Sequence, residues 1–207
     1  MRRYRITIGV LFLCGLIGLT WTVASVVRAG GPEDADHPAR ATVPIDRTVG
    51  LIRIGMTVEE FQKTVQGREQ TGMNPGLIEG ERSFEVARES LVQEIRAMGC
   101  RFLHGRLYRI TVEYREGAFD ETRWDALVKK NMERYGKALI QKHTLGRRLI
   151  EFVPWNDPQT RLVLQREHRV RFESKDSLQS VTRYGVVMIL MDQALWNERQ
   201  EAEGALF

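Results

Sequence analysis

The sequence predicts an α+β domain: two or three helices packed on one face of an antiparallel sheet of five to seven strands, preceded by an N-terminal transmembrane helix. Three observations predict it. Residues 6–27 carry no charged side chain. Residues 106–115, RLYRITVEYR, alternate with period two, placing Tyr108, Ile110, Val112 and Tyr114 on one face and Arg109, Thr111, Glu113 and Arg115 on the other. Residues 122–135 repeat Trp124, Leu127, Val128, Asn131, Met132 and Tyr135 at helical spacing and stop at Gly136.

The uncharged stretch is 22 residues long, and a helix rising about 1.5 Å per residue needs about 20 to cross the hydrocarbon core. The chain then divides into a cytoplasmic N-terminus (1–5), a signal-anchor helix (6–28), a flexible tether (29–44), an exported α+β domain (45–191) and a C-terminal helical tail (192–207). Arg2, Arg3 and Arg5 precede the span, and Glu33, Asp34 and Asp36 follow it. The positive-inside bias therefore puts the body on the periplasmic or extracytoplasmic side. The alternative is secretion after cleavage following Ala29. Cys14 lacks the small preceding residue of a lipid-attachment signal. The face of Cys14, Gly18 and Thr22 suits either close helix packing or the ordinary make-up of a span.

A pI near 9.3 invites a nucleic-acid reading. The excess charge, however, sits on Arg2, Arg3, Arg5 and Arg28, and the other 27 Lys and Arg equal the 27 Asp and Glu. A neutral body excludes a dedicated phosphate-backbone binder.

Along the body, the tether GGPEDADHPARATVP has too little apolar surface to fold. Thr57 and Glu60 form a Thr-x-x-Glu capping box, with Met56 and Phe61 as its staple, and Gly67 stops that helix. Residues 68–81 read as loop. Residues 83–98 read as helix from Val86, Ser90, Leu91 and Ile95, although SFEV alone suits a strand. A hairpin turns at His104-Gly105. Thr122 and Asp125 are candidate caps for the 122–135 helix. Strands follow at 138–143, 147–153, 160–166 and 169–173. Residues 184–191, YGVVMILM, are apolar throughout and read as a central strand covered on both faces. Asp192 caps a final helix, Gln193 to Glu203.

Chemistry is sparse. There is no phosphate loop, Gly-x-Ser-x-Gly elbow or Cys-x-x-Cys pair, so no cofactor is expected. His37, His104, His143 and His168 are scattered, and no metal site is expected. Cys100 reads as a core thiol, its nearest base being His104. The candidate binding surface is Trp155, Asp157 and Thr160: either an exposed aromatic on a hairpin loop, or a turn whose Asp157 bonds backbone N–H groups while Trp155 folds back on the sheet.

IRIGMTVEEFQKTVQG resembles the opening of small exported domains of the outer-membrane assembly lipoprotein (SmpA/OmlA) type and the β-lactamase-inhibitor-like fold, through Ile52, Gly55, Met56, Thr57, Glu60 and Phe61. GRLYRITVEY resembles their first sheet strand. The helix-then-hairpin order, from Met56 and again from Thr122, is similar to tandem versions. The resemblance implies helices on an antiparallel sheet and a binding or scaffolding role without catalysis.

The expected function is a membrane-anchored, non-enzymatic binding or scaffolding module of the cell envelope, with a protein partner. One alternative is a subunit of a larger membrane complex held through its span and tail helix. Another is an envelope hydrolase, for which Asp157, His168 and Glu167 are the candidates. Intact-mass measurement on protein extracted from membranes should find residues 1–29 retained. A mature chain starting at Gly30 would refute the anchor.

Overall fold

The computed structural model describes residues 38–70, 78–145, 148–172 and 180–204. The N-terminal segment 1–5, the span 6–28, Cys14 and tether residues 29–37 lie outside the described residues. Among those described, no helix is long and apolar enough to cross a membrane.

The order of elements contains the same unit twice. Helix α1 (Val58–Thr64) leads into strands β4 (Gly67–Glu69), β5 (Glu81–Val86), β6 (Ile95–Leu103) and β7 (Arg106–Tyr114). Helix α2 (Glu121–Tyr135) leads into β8 (Gln141–Leu145), β9 (Arg148–Asn156), β10 (Thr160–Phe172) and β11 (Ser180–Asp192). Each set of four strands is an antiparallel meander. Their last strands, β7 and β11, pair antiparallel and fuse the meanders into one sheet. A further strand, β1 (Ala39–Arg40), adds in parallel to β9. Strands β2 (Thr48–Val49) and β3 (Ile52–Arg53) form a separate hairpin, and α3 (Gln193–Gly204) closes the fold.

Among the described residues the fold is therefore α+β with three helices, but the sheet is mixed and has nine strands rather than five to seven. The extra strands come from stretches read otherwise. Residues 83–98 are not an α-helix: β5 and the start of β6 occupy half of them, around a 3₁₀ turn at Arg88–Ser90. Phe84 and Val86 face the core in alternation with polar neighbours, and cross-strand pairing overrides the helical spacing. Strand β4 begins where a loop was expected. Within the segment read as tether, Ala39–Arg40 form β1, and the chain there is held by backbone bonds that leave little side-chain signature. Ala41 N donates to Asn156 O at 2.6 Å and Thr42 N to Tyr135 O at 2.9 Å. Strand β10 runs unbroken where two strands were expected.

One large core lies between the sheet and helices α1 and α2. Its centre under α1 is an aromatic trio, Phe61, Phe84 and Phe102, with ring centroids 5.2–5.5 Å apart and edge-to-face geometry. The capping box forms as expected: Glu60 N donates to Thr57 Oγ1 at 3.2 Å, and Thr57 N to Glu60 Oε2 at 2.7 Å. Helix α2 is capped by Asp120 rather than by Thr122 or Asp125, through Arg123 N at 2.8 Å. Trp124, Val128 and Tyr135 face inward from it.

Helix α3, the expected C-terminal tail helix, lies on the face opposite α1 and α2. Along β10 and β11, Leu162, Leu164, Val186 and Leu190 enter the main core, whereas Val163, Ile189 and Met191 form a second cluster with Trp196 of α3. A bulge makes room for this. The β6–β7 register slips between the pairs Arg101–Arg109 and Phe102–Leu107, leaving Tyr108 as the extra residue. Tyr108 therefore turns away from Ile110 and Val112 and stacks on Trp196, beside Arg109.

Phe61 also explains Gly67. A Cβ at Gly67 would lie 2.4 Å from Phe61 Cε1, and the ring is fixed by Phe84 and Phe102. Gly67→Ala should cost about 1–3 kcal/mol of stability through overpacking. Gly99→Ala, where a Cβ meets nothing within 4 Å, should be close to neutral. Urea unfolding of both checks this, and equal midpoints would show that the ring yields.

Candidate functional site

The Trp155–Thr160 loop is a closed turn. Trp155 and Thr160 are fully buried. The indole Nε1 donates to Gly136 O at 2.9 Å, beyond the end of α2. Asp157 Oδ1 accepts from Gln159 N at 2.8 Å and Thr160 N at 2.6 Å, and Oδ2 accepts from Ile45 N at 2.6 Å. The carboxylate thus ties the β9–β10 turn to the strap that follows β1. No aromatic face is presented to solvent here, and the geometry is that of the turn rather than of an exposed binding loop.

The hydrolase candidates do not converge. His168 and Glu167 are neighbours on β10 and point to opposite faces. Asp157 precedes the other end of that strand, about 27 Å from His168 at ~3.4 Å per residue. His168 instead joins a cluster that sequence reasoning missed. On the core face, Arg166 Nε donates to Glu151 Oε2 at 2.6 Å, and a second guanidinium nitrogen contacts the same oxygen. Lys142 Nζ reaches Glu151 Oε1 at 3.1 Å, and His168 Nε2 lies 3.2 Å from Oε2. The Arg166 guanidinium lies between the rings of Trp124, 5.0 Å away, and Tyr184, 4.9 Å away. Burial works to raise the Glu151 pKa, but Arg166, Lys142 and His168 outweigh it and hold the carboxyl below its usual range. The cluster fastens α2 to β9, β10 and β11.

A second buried carboxylate, Glu81, sits beneath α3 with no exposed side-chain surface. It accepts from Tyr108 Oη at 2.5 Å and Ile78 N at 3.1 Å, and Arg101 and Arg199 each stand 3.4 Å away. Burial first, and then the Glu81 charge, push the Tyr108 phenol up to about 12. Arg199 also pairs with Glu203 at 2.6 Å, and His104 with Glu198 at 2.8 Å. Polar ties therefore do much of the work of docking α3.

Cys100 is fully buried, and burial pushes its thiol up to about 12, so little thiolate forms near neutral pH. Among the described residues, no group of three or more His, Cys, Asp or Glu side chains could hold a metal. Two open recesses mark the surface. One is lined by Gln62, Val65, Gln66, Gly67, Arg68 and Ala87, the other by Pro38, Arg40, Asn156, Asp157, Pro158 and Gln193. Neither gathers an acid–base pair, since the Asp157 carboxylate is engaged by three backbone donors. Comparison of the chain with known protein families, curated proteins and solved structures finds no match.

Glu151→Gln should cost about 3–5 kcal/mol, because it leaves the Arg166 charge buried without its counter-ion. The folded pKa of Glu151 is depressed, so its contribution is complete above the ordinary carboxyl range and is lost as pH falls through the folded value. The penalty measured by urea denaturation should shrink steadily below about pH 4.5. A penalty that stays constant down to pH 3 would contradict this account.

Proposed function

We propose that the chain is a membrane-anchored, non-enzymatic binding or scaffolding module of the cell envelope, whose partner is a protein. The observation that carries this reading is the open edge of the sheet at β8. Strand β8 bonds β9 on one side, and among the described residues no strand pairs with the other. Leu139 and Ile140, immediately before β8, are 81% and 44% exposed. An unpaired edge flanked by exposed apolar side chains is a template for an added strand: main-chain bonds supply affinity and side-chain contacts supply selectivity. Natural edges are often guarded by lysine; the one on β8, Lys142, stays exposed with its Nζ paired to Glu151 at 3.1 Å.

Two further features support the reading. The carboxylates of Asp157, Glu151 and Glu81 are engaged by structural partners, so the chemistry a catalyst would use is committed to the fold. The repeated helix-plus-meander layout is similar to the tandem domains that IRIGMTVEEF and GRLYRITVEY resemble. The 22 uncharged residues at 6–27 would hold such a module at the membrane, with the body on the extracytoplasmic side.

Photo-cross-linking in intact cells tests the reading. A photoreactive residue at 139 or 140 should give a discrete protein adduct, whereas one at the exposed Lys130 of α2 should not. Leu139→Asp, at a site too exposed to affect folding much, should weaken the adduct formed at 140. The edge-binding proposal fails if 139 and 140 give no adduct or the same background as 130.

A further inference from the structure

On the face covered by α3, two arginines stand side by side. Arg109 of β7 and Arg101 of β6 are direct cross-strand partners, and like charges so placed repel. Arg101 is drawn toward Glu81. Arg109 makes no ion pair of its own among the described residues, and the Glu81 carboxylate and Tyr108 offset its burial only in part. It is 6% exposed, yet among the described residues no carboxylate lies within ion-pair distance of it. Its Nε donates to Thr111 Oγ1 at 3.3 Å, and that is its one hydrogen bond there. Trp196 lies 5.6 Å from the guanidinium carbon, occupying one face of the planar group. Among the described residues the terminal nitrogens have no hydrogen-bond acceptor. Burial first, and then the charges of Arg101 and Arg199, outweigh the opposing pull of Tyr108 and Glu81 and bring its pKa down to about 10, so the group remains a cation at neutral pH.

A buried cation without a counter-ion is costly, and the cost falls if an anion can reach it. Room for one lies next to Arg109. Gly99 is the cross-strand partner of Thr111 and shares the face of Arg101 and Arg109, while Cys100 and Ile110 between them point into the main core. A Cβ at Gly99 would meet nothing within 4 Å. The floor of this niche is thus bare backbone, on the sheet face that carries Arg101, Arg109 and Thr111. Of the nearby carboxylates, Glu81 is already held by Tyr108, Arg101 and Arg199. Glu85, the partner of Gly99 on β5, is exposed, with Gln70 at 3.4 Å.

We propose that this niche binds a small oxyanion, a phosphate or carboxylate group, held between Arg109 and Arg101 beside the Thr111 hydroxyl. Guanidinium groups bind such anions through short charge-assisted hydrogen bonds. The site is independent of the β8 edge and of the membrane anchor.

The test uses the full chain in non-ionic detergent. Thermal unfolding is followed while sodium phosphate, or in a second arm sodium acetate, replaces sodium chloride at constant ionic strength. A saturable rise in Tm with either anion, absent with chloride, is expected, and the arm that produces it identifies the class of anion. Arg109→Met should weaken the apparent affinity by about tenfold or more, the worth of a charge-assisted contact. Gly99→Val should do the same by filling the floor while leaving both arginines in place, so the result does not hinge on one variant's folding. Exposed Arg53→Gln should respond like the parent. No saturable rise in the parent, or an unchanged rise in Gly99→Val, overturns the proposal.

Discussion

The seam between β7 and β11 is the constraint on which the rest of the fold depends. Each four-strand meander has an edge that must be paired, and each supplies the other's partner. The ladder from Val187–Glu113 to Met191–Arg109 joins them. Because it lies mid-sheet, its residues need cover on both sides. Ile110, Val112, Val186 and Leu190 meet the core under α1 and α2, while Ile189 and Met191 meet Trp196 of α3. The all-apolar character of residues 184–191 follows from that position. So does the need for a third helix, since an open second face would leave the seam half wet.

The two sides of the sheet are closed by different means. The α1–α2 side is dominated by hydrocarbon and aromatic packing, with one buried ion cluster at Glu151. The α3 side has a small apolar cluster and a larger share of charge. Its stability therefore rests on partners being complete: each guanidinium or carboxylate under α3 costs desolvation that neighbours must offset. The Tyr108 bulge is the local device that makes this side possible, because it brings a phenol and a guanidinium to the same face.

Features set by neighbours in sequence were readable. The Thr57–Glu60 box, the His104-Gly105 turn, where both residues have positive φ, and the α2 stripe are local, and the chain alone specifies them. Features set by distant partners were not. Glu81 and Ser83 look like solvent-facing residues, and Glu81 is buried because Arg199 and Tyr108 arrive from elsewhere in the chain. Strand β1 is Ala-Arg, a pair with no strand signature of its own, and it is placed by its pairing with β9. Period-two counting assigns Arg109 to a wet surface and Tyr108 to the core. One inserted residue reverses the second assignment, and α3 reverses the first. The candidate loop residues were found in sequence, but whether Trp155 points out or folds back depends on Gly136, which the local pattern cannot supply.

The single cysteine after residue 14 gives the domain a built-in clock. Cys100 lies on β6, fully buried, with its thiol pushed far from the thiolate. An alkylating reagent can reach that sulfur when the strands around it part. The rate of its modification therefore counts how often this half of the sheet opens, and a ligand or partner that slows the opening would register there without touching the residue.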